Sequence, residues 1–216
     1  MGEPRGIPSG ETYVAQSAEV RSRVVSASKS QYRAGRKERN EREADRLEAQ
    51  GYRVTRNLHN NGAFAAVIGD HKDHEISVVH ILAENGLSAS LDKEGNLTIK
   101  DRRGQTYTLP SSDGRVENFS MEIAALTGTP SAEKVADAIA HSFKAFNPQK
   151  GHDLQSSVAI TITPIGAGDS FNRTHIDDGV KEFRRRVREG ETSAKPLAYL
   201  HIDEKRRKVW YREVKT

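Results

Sequence analysis

The sequence contains no cysteine, which excludes disulfide bonds and thiolate metal ligands and makes the fold independent of the redox compartment. It also lacks any apolar run near the roughly 20 residues that a membrane-spanning helix needs. Its N-terminal residues show no apolar signal region either. We therefore expect no membrane-spanning segment, so that a larger carrier would have to take the protein across any membrane.

Hydrophobic residues make up only 35% of the chain, against 30% charged residues. The hydrophobic fraction is low but sufficient for one substantial core, so part of the 216 residues should stay solvated. The formal net charge of +4 suits a partner that is an anionic polymer. An ordinary basic protein carries such a charge almost as often, so the charge alone decides little.

Residues 1–50 predict a flexible leader followed by a charged helical extension. The first ten residues hold three glycines and two prolines, which is typical of a leader. From Glu11 to about Gly51 the pattern is helical, poorly amphipathic and dense with charges of both signs. Ala44 and Leu47 are placed to dock this extension on the body, and Gly51 to end it. The extension is either a solvated helix or a basic arm that follows a nucleic-acid backbone.

The rest of the chain alternates short strands with amphipathic helices, which predicts an α/β domain. The clearest helix covers 70–86, with Asp70 or Asp73 as its cap. We expect residues 87–92 and 96–101 to pair as a hairpin around the Asp-Lys-Glu-Gly turn. Helices between strands that lack hairpin turns indicate a mixed β-sheet flanked by helices on both faces.

Two carboxylates in the stretch SSDGRVENFSMEIAAL (111–126) have the spacing of a metal site. Asp113 lies on a Ser-Asp-Gly turn, and Glu122 follows nine residues later in an apolar, strand-like run. Both can point to one end of a sheet, with the Ile123 carbonyl as a third oxygen. Glu75, on the first well-formed helix, is a candidate for a further ligand. Hard divalent cations such as Mg²⁺ prefer oxygen ligands of this kind.

Each of these residues also has an ordinary structural explanation. Ser-Asp-Gly is a common turn that holds no metal, and a strand glutamate more often faces solvent. His71 and His74 near the helix lack a metalloprotease spacing and a nearby thiol, so capping or surface roles are more frequent for them. A functional site is favoured because the neighbours of Glu122 in the strand are apolar. Strand alternation places Glu122 and residue 124 on the face opposite Met121 and Ile123.

Eight short stretches follow one another in order from about Asn61 to the C-terminus: NNGAFAAVIG, HEISVVHILAENG, SDG, MEIA, TGTPSAEKVADAIAHSFKAF, SSVAITI, HIDDGVKEF and LAYLHIDEKRRKVWY. This ordered set resembles the PD-(D/E)XK nuclease fold. It looks specifically like the nuclease domains at the C-termini of bacterial polymorphic toxins, including contact-dependent growth inhibition toxins that cut tRNA. The resemblance implies a restriction-endonuclease-like core in residues 51–216, with residues 1–50 as an N-terminal helical extension.

The resemblance also assigns roles to individual residues. It implies that Asp113, Glu122 and Glu75, with the Ile123 carbonyl, bind Mg²⁺ for phosphodiester hydrolysis. It implies a catalytic lysine at position 124, where this chain has Ala124. A lysine there would reach the attacking water or the negative charge that develops on phosphorus. We therefore expect little or no cleavage by the chain as it stands.

Three explanations of Ala124 stay open. The lysine was replaced deliberately, because an active toxin nuclease is hard to express. Alternatively, its role has moved to Lys134, Lys144 or Gln155. Finally, the domain is naturally inactive and is used for binding. A second departure, Ser112 in place of the usual proline, affects turn geometry and not chemistry.

The expected partners follow from the basic residues and from the resemblance. A nucleic-acid groove could be flanked by four basic residues, which are Arg184, Arg185, Arg188 and Lys134. The alternative is that these side chains are solvated and have no such role. Few aromatic side chains are available to read bases, so a structured RNA such as tRNA would be recognised by shape and backbone, and duplex DNA suits the same groove.

The resemblance further implies a cognate immunity protein, delivery by a larger carrier and action in the cytoplasm of a target bacterium. The alternatives are a non-catalytic nucleic-acid-binding or interaction module and a phage or mobile-element DNA endonuclease.

Overall fold

The computed structural model describes residues 10–28, 34–57, 60–93, 95–100, 106–110, 112–141, 157–166, 171–192, 194 and 196–214. The helices within these ranges are α1 (Gly10–Ser28), α2 (Ala34–Ala49), α3 (Asp73–Glu84), α4 (Ala132–His141) and α5 (Arg173–Arg188). The strands are β1 (Arg53–Arg56), β2 (Phe64–Val67), β3 (Ala89–Leu91), β4 (Asn96–Lys100), β5 (Thr106–Pro110), β6 (Gly114–Val116), β7 (Phe119–Ala125), β8 (Val158–Thr163), β9 (Ala198–Asp203) and β10 (Lys208–Arg212). None of these described helices is long and apolar enough to cross a membrane.

Eight of the described strands form one mixed sheet in the order β1-β2-β3-β6-β7-β8-β9-β10. The pairs β2–β3, β7–β8 and β8–β9 are parallel, and the other neighbours are antiparallel. The parallel strands β7, β8 and β9 therefore finish at the same end of the sheet, which we call the carboxyl end. The predicted mixed α/β architecture is confirmed.

The hairpin predicted between residues 87–92 and 96–101 is wrong. β3 is inserted between β2 and β6 in the main sheet, whereas β4 pairs with β5 in a separate two-stranded sheet. The physical reason is burial. All three residues of β3 are buried, and Ala89 and Leu91 belong to the main core. A strand covered in this way takes its partners from the central sheet and not from a local turn.

Strand alternation gives the sheet two covered faces. Met121 and Ile123 of β7 lie on the face that packs against α1 and α3. Ala159 and Tyr199 lie on the opposite face, in the cluster formed with α4 and α5. Glu122 shares this second face, because it pairs with Ala159 across β7 and β8. The orientation predicted for Glu122 relative to its apolar neighbours is confirmed.

The register of the neighbouring strands extends the second face towards the other edge of the sheet. Ala66 pairs with Ser90, Ser90 with Arg115, and Arg115 with Ser120. Ser120 and Glu122 are two residues apart and therefore point the same way. On this face α2 packs over β1 and β2, and α4 packs over β8. A strip of β3, β6 and β7 lies between the two helices.

The N-terminal extension consists of two helices in place of the single helical stretch expected from Glu11 to about Gly51. α2 docks through Ala44 and Leu47, as predicted, and Gly51, in the left-handed region with φ of +92°, follows two residues after its last residue, Ala49. A buried ion pair between Arg36 and Glu117, at 2.9 Å, ties the start of α2 to the turn between β6 and β7. The predicted leader lies almost entirely outside the described residues.

The cap predicted for the third helix is also wrong. Neither Asp70 nor Asp73 caps α3, whose N-cap residue is Lys72. Glu75 takes the capping role instead, because its carboxylate accepts the Lys72 backbone N–H at 3.2 Å. This position also sets the negative charge of Glu75 in the first turn, where the helix dipole favours it.

Candidate functional site

The central feature of the site is the pairing of Asp113 with Glu122. β6 and β7 are antiparallel, and the register that pairs Gly114 with Met121 sets Asp113 opposite Glu122. The Asp113 carboxylate crosses to β7, where its Oδ2 accepts the Ile123 backbone N–H at 2.6 Å. The two carboxylates that the sequence predicts as metal ligands are therefore held together near the carboxyl end of the sheet.

Gly114 allows β6 to lie close enough to β3 for this arrangement. A Cβ at position 114 would meet the Ser90 carbonyl oxygen at 1.9 Å. The Asp113 carbonyl also accepts the Asp92 backbone N–H at 3.1 Å, just beyond the end of β3. The Ser-Asp-Gly stretch therefore acts as a fixed strand junction, and its glycine is needed because two backbones approach each other there.

Glu122 is half-buried and electrostatically unusual. Burial first, and the neighbouring Asp113 carboxylate second, raise the pKa of Glu122 from 4.5 to about 8. Its Oε1 is buried and has no hydrogen-bond partner among the described residues. A buried carboxylate oxygen without a partner, beside a second carboxylate, fits a cation ligand or a carboxyl group that keeps its proton near neutral pH.

Ala124 lies two residues beyond Glu122 on the same face and is half-buried. Its neighbour across β7 and β8 is Thr161. A longer side chain at this position would project from the same face as Glu122 and Thr161. The position where the resemblance implies a lysine is therefore beside the two carboxylates.

A buried polar group next to Ala124 was missed by the sequence reasoning. Thr161 Oγ1 lies 2.6 Å from the Tyr199 hydroxyl and 2.9 Å from His201 Nδ1. Burial lowers the pKa of His201 to about 4, so its imidazole is neutral near pH 7. Thr161 lies in β8, whereas Tyr199 and His201 lie two residues apart in β9, so only the register of these two strands brings the threonine to the other two side chains.

Glu75 is buried, but its ionic partners among the described residues are its own neighbours in sequence. Its carboxylate lies 3.5 Å from His71 Nδ1, 3.5 Å from Lys72 Nζ and 3.9 Å from His74 Nε2. α3 packs on the face opposite Glu122. Among the described residues, no group of three or more histidine, aspartate or glutamate side chains is placed to hold a metal ion. The structure brings Asp113 and Glu122 together and does not add Glu75 to that group.

Lys134, one of the predicted substitutes for the missing lysine, lies on α4 just after β7. Its ammonium donates to the Thr127 carbonyl at 3.3 Å, so it is at the carboxyl end of the sheet, as Asp113 is. The other two candidates, Lys144 and Gln155, lie outside the described residues.

The predicted arginines on α5 differ in how far they are neutralised. Arg184 donates to the Glu213 carbonyl at 2.6 Å, and Arg188 is exposed. Arg185 forms ion pairs with three glutamates, which are Glu182, Glu189 and Glu191. The hydrogen bonds from Arg185 and Arg186 lower the pKa of Glu182 to about 2. Much of the positive charge on this helix is therefore compensated locally.

Comparison of the chain with protein-family models, with curated proteins and with solved structures finds no match. Its function is therefore inferred from the geometry of the site and from the sequence resemblance.

Proposed function

We propose that this chain is a metal-dependent nuclease domain of the PD-(D/E)XK class in which Ala124 occupies the position of the catalytic lysine. The observation that carries the proposal is the buried, unpartnered Oε1 of Glu122, within the described part of the chain, beside the Asp113 carboxylate. Two ionised carboxylates at this separation repel each other unless a cation or a proton lies between them.

The order of elements supports the same class. The chain runs through a helix, three strands, a helix and a strand, which are α3, β3, β6, β7, α4 and β8. The β4–β5 sheet is inserted between β3 and β6. This is the order of elements in the stretches that carry the resemblance. Asp113 immediately precedes the second of these three strands and Glu122 lies in the third, and the resemblance assigns the metal ligands to these two residues.

The donor set fits a hard divalent cation such as Mg²⁺. Asp113 and Glu122 would hold it, with the Ile123 carbonyl as a further ligand, whereas Glu75 lies across the sheet from this pair. The cation, when bound, would lower the pKa of a coordinated water and neutralise charge on the phosphate. Ala124 offers no group that can hold a proton or a positive charge next to the attacked phosphorus. We therefore expect weak cleavage or none.

The substrate and partners are proposed on the resemblance. RNA, with tRNA favoured, and DNA are the two substrate classes. A cognate immunity protein with an acidic surface would cover the site of a chain with a net charge of +4. Delivery by a larger carrier would bring the domain into the cytoplasm of the target bacterium.

The test is a cleavage assay on total tRNA and on plasmid DNA with Mg²⁺. It compares the chain with Ala124→Lys and with Ala124→Met, which adds a side chain of similar length and no charge. We expect Ala124→Lys to cut one substrate at least about 100-fold faster, which is the usual contribution of one transition-state charge partner. Adding Glu122→Gln to Ala124→Lys should abolish that cleavage.

A second function is favoured by Ala124 itself. A domain that keeps the carboxylates and lacks the lysine is suited to binding nucleic acid without cutting it. If Ala124→Lys cuts neither substrate while the chain still binds them, the nuclease proposal is wrong and the binding module replaces it.

A further inference from the structure

Two cavities beside α2 form a cleft over β3 and β6, on the sheet face that carries Asp113 and Glu122. Its floor includes Ser88, Ser90 and Arg115, and one of its walls is α2. Arg115 pairs with Ser120, which precedes Glu122 by two residues on the same face. Two residues of strand span about 7 Å. A ligand lying along this cleft would therefore reach Asp113 and Glu122 without leaving the face.

α2 presents a row of arginines to the cleft. Arg39, Arg42 and Arg46 are spaced by three and four residues, so they share one side of the helix. All three are exposed. Arg46 is bound by Glu43. The side chains of Arg39 and Arg42 have no ion pair or hydrogen bond within the described part of the chain, so their charges are available to a ligand.

The floor of the cleft also carries the cationic side chain of Arg115 and the Ser88 hydroxyl. The Arg115 side chain is 60% exposed, and its nearest acidic partner, Asp92, is 3.8 Å away. Ser88 is only 8% exposed, and its Oγ has no hydrogen-bond partner among the residues that the structure describes. Ser88 lines both cavities of the cleft. A buried hydroxyl without a partner beside arginines is suited to an anionic oxygen.

The dimensions favour a polymer over a small molecule. The two cavities have volumes of about 130 Å³ and about 270 Å³. Pockets that enclose a whole small ligand usually measure about 300–1,000 Å³. Each hollow is smaller than such a pocket, and the two share Ser88, Phe64 and Arg46 in their linings, so they are suited to successive groups of an extended chain.

We propose that this cleft binds the phosphodiester backbone of the nucleic-acid substrate, with α2 as a wall of the binding site. Arg39, Arg42 and Arg115 contact phosphate oxygens, and Ser88 Oγ donates to one of them. The proposal rests on the proposed function, which it extends from the carboxylates to the path of the substrate. It also gives the charged N-terminal extension a role that the sequence left open.

The test measures binding of a fluorescent 20-nucleotide RNA and of a duplex DNA in EDTA, which separates binding from cleavage. The cleft variant is Arg39→Ala/Arg42→Ala. Its charge-matched control is Arg21→Ala/Lys181→Ala, which removes two exposed cations outside the cleft. We expect about ten-fold weaker binding for the cleft variant, and a salt slope reduced by roughly 1.4 for the single strand and 1.8 for the duplex. The control should stay within about two-fold at 0.15 M salt.

Ser88→Ala is a second variant that leaves the charge unchanged. It should weaken binding by a few fold without altering the salt slope, because a neutral donor is lost. Equal losses in the cleft variant and its charge-matched control would overturn the location of the site. Absence of binding by every protein would overturn the ligand class, and an acidic protein surface would then be the partner to test.

The two proposals fail in different ways. If Ala124→Lys cleaves its substrate and adding the cleft substitutions leaves KM and kcat unchanged, the cleft is not the substrate path and the nuclease proposal stands. If the unmodified chain binds nucleic acid through Arg39 and Arg42 but Ala124→Lys never cleaves, the nuclease proposal is wrong and the cleft proposal stands.

Discussion

The carboxylate of Asp113 accepts the backbone N–H of Ile123 at 2.6 Å and so bridges the start of β6 to β7. The bridge fixes one carboxylate beside another, because Glu122 immediately precedes Ile123 in the same strand. Its consequence is electrostatic. Burial first, and the Asp113 carboxylate held beside it second, raise the pKa of Glu122.

The first prediction concerns the pH dependence of stability. The pKa of Glu122 is about 8 in the folded protein against an ordinary value of 4.5, so the folded state keeps a proton that the unfolded state releases between these values. The free energy of unfolding should therefore fall as pH rises through this window, by up to about 1.4 kcal/mol per pH unit. Glu122→Gln should remove this loss. Urea unfolding at several pH values measures it.

The window for this test is pH 6.5 to 8. Burial lowers the pKa of His201 from 6.5 to about 4, so His201 makes the protein less stable as pH falls through that range. Below pH 6.5 the two effects oppose each other, and above it Glu122 acts without His201. Equal slopes for the chain and for Glu122→Gln above pH 6.5 would show that Glu122 ionises normally.

The second prediction concerns Mg²⁺ binding under the proposed function. At pH 7 Glu122 is mostly protonated, and a metal ligand must be deprotonated, so binding should release about one proton. Titration calorimetry in buffers of different ionisation enthalpy measures this number. The release should vanish near pH 9.5 and in Glu122→Gln.

Asp113→Asn is the informative comparison for the metal titration. It removes the second charge and should weaken Mg²⁺ binding, while Glu122 still loses its proton when the metal binds. Binding of Mg²⁺ with no proton release in the unmodified chain at pH 7 would place the metal away from Glu122.

Part of this site could be predicted from sequence because it is local. Asp113 and Glu122 are nine residues apart on two strands joined by a short turn, so alternation alone sets them on one face. The face of Glu122 relative to Met121, and the docking of α2 through Ala44 and Leu47, follow from the same periodicity.

The parts that sequence reasoning missed depend on contacts between distant segments. β3 pairs with β2 and β6 and not with the adjacent β4, a choice made by burial in the central sheet. Ser88 and Arg39 are 49 residues apart in the chain and meet in one cleft only because α2 packs on β2. Neither residue type stands out in its own stretch, so no local pattern marks the cleft.

The third prediction concerns His201 and Trp210, whose ring centroids are 5.2 Å apart. Trp210 is the only tryptophan, and a protonated imidazole quenches indole fluorescence. Because burial lowers the pKa of His201 to about 4, quenching in the folded protein should have its midpoint near pH 4. His201→Gln should abolish the transition, and His141→Gln, at an exposed position, should not. A midpoint near 6.5 without loss of circular dichroism would mean that His201 is hydrated.

The fourth prediction concerns Gly114, which connects the fold to the site. A Cβ at this position would meet the Ser90 carbonyl oxygen at 1.9 Å, and neither backbone can move without separating β3 from β6. Gly114→Ala should therefore lower the free energy of unfolding by about 2–4 kcal/mol. Gly35→Ala is the matched control, because Gly35 lies in α2 with no atom within 4 Å of its added Cβ. That substitution should be neutral or stabilising by up to about 1 kcal/mol.

Loss of stability in Gly114→Ala should be accompanied by a change at Glu122. Displacing β6 moves Asp113 away from β7, which removes the second of the two causes that raise the pKa of Glu122. The stability of Gly114→Ala should therefore depend less on pH between 6.5 and 8 than that of the unmodified chain. Urea unfolding across this range measures both effects in the same samples. A Gly114→Ala protein as stable as Gly35→Ala, with an unchanged pH dependence, would show that β3 and β6 are not held as close as this arrangement requires.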